Sequence, residues 1–149
     1  MAGFEFHETM SGSIRLDASP DRERAISFTV GGRVDQLSRF LRDRKAAIQG
    51  AMEIEGLASH SAARGTMLMD PILGKQVGYE LEFKDDQGKS LRLTGRKSVE
   101  FLRLMETMTT LPADLVDEEG RRVGHAVLRF DVRSDLVRFL RSFRPLRFA

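Results

Sequence analysis

The sequence predicts a mainly β, antiparallel domain of about eight strands and two short helices. Three observations carry this reading. Apolar residues alternate with polar ones along most of the chain, which is the signature of half-buried strands. Clusters rich in Gly, Asp, Ser and Pro separate the alternating runs at short intervals. The period switches to that of a helix at only two places, roughly 34–44 and 134–143.

The first run, "FEFHETMSGSIRL", places Phe4, Phe6, Glu8, Met10, Gly12, Ile14 and Leu16 on one face. "SPDRE" reads as a break. "AISFTV" then aligns Ile26, Phe28 and Val30, and the glycine pair at 31 and 32 reads as the end or a bend of that strand. In "VDQLSRFLRD", Val34, Leu37, Phe40 and Leu41 fall on one helical face, with Asp35 as the expected N-cap. Alternation resumes through Ile48, Met52 and Ile54. "ARGTMLMD" reads as a short strand, and Pro71 and Gly74 mark a turn.

"QVGYELEF" puts Val77, Tyr79, Leu81 and Phe83 on one face, and "KDDQGKS" is a hairpin loop. "SLRLTGRKSVEF" returns with Leu91, Leu93, Gly95, Lys97, Val99 and Phe101 on the matching parity. "MTTLPADLV", "DEEGRR" and "HAVLRFDV" form another strand–loop–strand. "SDLVRFLRSF" is the second helix, capped by Ser134, with Leu136, Phe139, Leu140 and Phe143 as its stripe. The phrases "DQLSRFL" (35–41) and "SDLVRFL" (134–140) echo each other. Both a duplicated strand–helix unit and simple convergence of short amphipathic helices account for the echo.

Two short helices are too few to cross over between parallel strands, so the strands are antiparallel neighbours. Strands with one apolar face roll into a barrel or a strongly curved sheet, which removes exposed edges. The expectation is a calycin-like, single barrel-like domain over 1–149, with room for one small ligand or for side chains alone.

Composition excludes several chemistries. The chain has no Cys, so disulfides, thiolate metal sites and cysteine nucleophiles are out. His7, His60 and His125 lack metal-ligand spacing, and His7 has the outward parity of its strand. There is no GxSxG and no phosphate loop. The start lacks the basic and apolar regions of a signal peptide, and no apolar run approaches the roughly 20 residues of a bilayer span, so a cytoplasmic location is expected. Net charge is +2, but eight arginines lie between Arg121 and Arg147 against Asp131 and Asp135. Without interleaved aromatics this segment reads as a solvated face rather than a nucleic-acid or membrane surface.

The polar residues on inward parity stand out. Glu8 and Lys97 each interrupt an otherwise apolar face. An isolated interior charge costs several kcal/mol, so such groups pair, change protonation or reach water. Glu8 and Lys97 are expected to meet inside the barrel or at a polar end of its cavity, with the inward Tyr79 hydroxyl joining them. These three are the candidate ligand-binding residues; no catalytic residue or metal ligand is assigned.

Several phrases resemble, in order, a region of large bacterial FAD-dependent oxidoreductases of the glucose-methanol-choline type, including sterol-oxidase-like chains. They are "FHETMSG", "VDQLSRFLRD" with "IQGAMEIEG", "GYELEFKDDQGKSLRLTGRKSV", "METMTTL" and "DLVRFLRSFRP". The resemblance implies an accessory module outside the FAD domain and carries over no catalytic residue. The chain itself lacks GxGxxG and the length of an FAD fold, so no cofactor is expected.

Three functional readings follow. The first is a non-enzymatic barrel that binds an apolar or amphipathic small molecule, or assists a separately encoded oxidoreductase. The second is a small cofactor-independent enzyme, an isomerase, lyase or hydrolase, with Glu8 as acid or base. The third is a basic surface-binding protein that uses the C-terminal arginines.

Overall fold

A computed structural model of the chain describes residues 4–70, 76–98, 110–129 and 144–145. Its strands are β1 (Phe4–Leu16), β2 (Ser19–Val34), β3 (Lys45–Ile54), β4 (Ala58–Asp70), β5 (Gln76–Lys84), β6 (Ser90–Ser98), β7 (Thr110–Val116), β8 (Arg122–Arg129) and the two-residue β9 (Arg144–Pro145). One short helix, α1 (Leu37–Asp43), joins β2 to β3. Each strand from β1 to β7 pairs antiparallel with the next, and β8 returns to pair with β1. The eight long strands therefore form a closed barrel, as the alternation implied.

The inward positions make one apolar core. Phe6, Met10, Ile14, Phe28, Met52, Met67, Leu81, Leu93, Leu115 and Leu128 are among its buried members. Outward positions on the same strands are polar, for example Gln49 and Glu53 on β3 or Glu80 and Glu82 on β5. This is the reverse of the apolar-out band of membrane barrels. No helix among the described residues is long and apolar enough to cross a bilayer.

Two hairpin loops use one chemistry. In "DDQGK", the Asp85 carboxylate accepts hydrogen bonds from the backbone N–H groups of Gln87 (2.9 Å) and Lys89 (2.8 Å). In "DEEGR", Asp117 accepts likewise from Glu119 (3.0 Å) and Arg121 (2.9 Å). Gly88 and Gly120 supply the left-handed residue of each loop, at φ +83° and +79°. Replacing Asp85 or Asp117 by Ala is expected to cost about 1 kcal/mol each in urea unfolding, because two backbone donors lose their local acceptor.

The structure corrects several local expectations. "SPDRE" does not break the chain: the turn is Asp17–Ala18, and β2 starts at Ser19. The glycine pair does not end β2, which continues to Val34. A Cβ on Gly32 would collide with the Phe6 ring, so this glycine clears room for a neighbouring side chain. β4 is 13 residues long, and its alternation changes phase around His60, which has φ +51°. That phase slip hid the first part of the strand, ahead of "ARGTMLMD", because Ala58 and Ala63 are both buried although their parity differs.

Asp35 does not cap α1. The capping position is Gln36 without a side-chain bond, and Asp35 instead accepts from Arg33 Nε at 2.7 Å. Phe40 packs against the core, but Leu41 is 52% exposed, outside the stripe expected for it. The expected turn at Pro71 and Gly74, the positions Val99 and Phe101, and the second helix with its echo of 35–41 lie outside the described residues.

Candidate functional site

β1 is shared between two neighbours on its far side. Ser11–Leu16 pairs with β8, and Phe4–Glu5 pairs with β9. Between these stretches, residues 6–10 pair only with β2 among the described residues, with Glu8 opposite Val30. Strand alternation forces Glu8 inward here, because Phe6 and Met10 on either side of it are core residues.

Glu8 is 5% exposed, and it is the one buried charged or polar residue among those described. Among the described residues neither of its carboxylate oxygens has a partner at hydrogen-bond geometry. Tyr79, on β5, approaches it closely enough to favour the carboxylate. This is a close approach rather than a formed hydrogen bond. Burial dominates and pushes the Glu8 pKa up to about 7; the tyrosine pulls the other way. Burial, and then the neighbouring Glu8 charge, push the Tyr79 hydroxyl well above its usual range, so it stays a donor at neutral pH.

The Tyr79 ring meets Phe28 edge to face, with centroids 5.4 Å apart. β5 and β2 are not neighbours in the sheet, so this contact spans the interior and forms a layer of the core. Phe6 lies over Gly32 on the side toward α1. Glu8 thus sits between two aromatic layers, next to a hydroxyl, in a region of low dielectric.

Of the three residues expected to converge, Glu8 and Tyr79 do. Lys97 occupies β6 opposite Val77, but its side chain lies outside the described residues. His7 is exposed, as its parity implied. His125 contacts Asp114 at 2.9 Å and His60 lies 3.6 Å from Glu53, both pairs on the surface. No group of three His, Asp or Glu among the described residues is placed to hold a metal ion. An open groove of about 1140 Å³ runs past Arg64, Glu82, Lys84, Arg92, Asp117 and Glu118, and neither Glu8 nor Tyr79 lines it. Its mixed charges and open shape define no chemistry.

The fold and site define a closed eight-stranded antiparallel barrel that holds, among the described residues, one titratable carboxyl in its apolar interior. Comparison with models of protein families, with curated proteins and with solved structures found no match.

Proposed function

We propose that this barrel binds, without transforming, an apolar or amphipathic small molecule whose donor head group is taken by Glu8 beside Tyr79. The observation that carries the reading is the pair of unpartnered carboxyl oxygens in an otherwise apolar interior. A buried acceptor without a partner loses the hydrogen bonds it had in water, and a ligand donor restores them. The surrounding Phe6, Met10 and Phe28 suit an apolar body, and Met adapts its shape to irregular ligands. A ligand head enters between the two aromatic layers by displacing part of this packing.

Calorimetric titration with dodecylamine, dodecanol and dodecanoate tests the reading. The amine and the alcohol are expected to bind one per chain. Glu8→Leu should weaken the amine by about 10- to 100-fold, the range for a hydrogen bond to a charged group. Affinity for the amine should rise as pH rises through about 7, where Glu8 ionises. Tightest binding of dodecanoate, or amine binding unchanged by Glu8→Leu, would show that Glu8 is a structural group.

A second reading rests on that same value. A carboxyl with a pKa of about 7 is suited to give and take protons at neutral pH. Glu8 would then be the acid–base group of a cofactor-independent isomerase, lyase or hydrolase. Turnover of a bound compound that Glu8→Gln abolishes while binding persists would favour the enzyme over the binding module. A role beside a separately encoded oxidoreductase rests on the sequence resemblance alone.

A further inference from the structure

We propose that the α1 end of the barrel docks on an anionic phospholipid surface. The strand order places the β1–β2, β3–β4, β5–β6 and β7–β8 turns at one end, and α1 at the other. Both ends carry both signs, and Lys84, Lys89, Arg121 and Arg122 share the first end with a dense set of acids. Asp17, Asp85, Asp86, Asp117, Glu118 and Glu119 lie in three turns of the first end. Arg39, Arg42, Arg44 and Lys45 cluster on α1 and the residues just after it.

Over residues 37–45 Asp43 is the one acid against these four cations, so the segment keeps a net positive charge. Asp35 is engaged by Arg33 at 2.7 Å. Asp43 accepts the Lys45 backbone N–H at 3.1 Å. Asp70, at the end of β4, is partly buried with one carboxylate oxygen shielded from solvent. No described side chain forms an ion pair with Arg39, Arg42, Arg44 or Lys45. The described residues of α1 and its exit thus present net positive charge, which favours contact with a negative surface.

Leu41 decides the kind of negative surface. It is the one large hydrophobic residue exposed among those described, at 52%. Phe40 anchors α1 to the core, while Leu41 projects between Arg39 and Arg42 in the sequence. An exposed aliphatic side chain on the same short helix as Arg39 and Arg42 matches a headgroup layer, where the cations meet phosphate and the leucine reaches the acyl boundary. A single-stranded nucleic acid would call for an exposed aromatic to stack on its bases, and none is exposed at this end among the described residues.

Co-sedimentation tests this with vesicles of phosphatidylcholine alone and of phosphatidylcholine with phosphatidylserine, at an ionic strength of about 0.1 M. Binding is expected only to the vesicles with phosphatidylserine. Each basic residue near such a surface is worth about fivefold in partitioning, so Arg39→Glu with Arg42→Glu should lose at least about 20-fold. Leu41→Ser should lose about fivefold through the apolar contact. Lys84→Glu with Lys89→Glu makes the same charge change at the opposite end and should lose no more than about twofold. Far-ultraviolet dichroism confirms that these surface variants fold. Equal binding to both vesicles, an equal loss in the opposite-end pair, or tighter binding to RNA or DNA than to vesicles at the same salt would overturn the proposal.

Discussion

Raising the pH from about 5 to about 8 is expected to destabilise this barrel by about 2–3 kcal/mol through Glu8 alone. The sign follows from where the proton sits. Folding raises the Glu8 pKa from 4.5 to about 7, so between those values the folded chain holds a proton that the unfolded chain has released. Stability is therefore greatest below about 4.5 and is lost as pH rises through about 7, over a whole window worth about 3 kcal/mol. Glu55 acts in the opposite sense, because the backbone N–H of Ala25 and the Arg22 guanidinium hold its pKa down, so its effect appears at acid pH. Urea unfolding at several pH values between about 5 and about 8, for the natural chain and for Glu8→Gln, isolates the Glu8 share. The variant should show a flatter profile. Equal slopes would mean that the carboxylate stays ionised inside the fold, as an ammonium reaching it from Lys97 would ensure.

Gly12→Ala is expected to cost about 3 kcal/mol, near the upper end for overpacking. Gly12 faces Leu128 across the β1–β8 seam and Ile26 across β1–β2. An added methyl group would collide with the Val127 carbonyl and crowd the Leu128 Cα. These are backbone atoms of a paired strand and cannot swing aside as a side chain would. The seam that closes the barrel has to open instead. Gly88→Ala provides the contrast. Nothing lies within 4 Å of its would-be Cβ, so only the φ of +83° opposes the change, at about 1 kcal/mol. Urea midpoints of the two variants, with amide exchange of the β1–β8 hydrogen bonds, measure both effects. A loss below about 0.5 kcal/mol for Gly12→Ala would mean that the seam is looser than its geometry indicates.

Some of this protein was determined by sequence alone because the signal is local. A strand writes its two faces into alternate residues, so the inward set from Phe6 to Ile14, or from Tyr79 to Phe83, was legible without a neighbour. The "DDQG" and "DEEG" loops carry their acceptor and their left-handed residue within four positions. Glu8 was visible for the same reason, as a charge out of place in a local pattern.

Tertiary structure decided what depends on distant chain. Gly31 and Gly32 resemble a strand end, yet β2 runs through them, because it is the Phe6 ring on β1 that requires the space at Gly32. Leu41 fits a helical stripe, but a seven-residue helix buries what the barrel below it can reach, which among its described side chains is Phe40. Glu8 meets Tyr79, and Phe28 meets Tyr79, across an interior whose width is set by the number and tilt of the strands. Alternation says that a side chain points inward; only the curvature and closure of the sheet determine which side chain it meets there.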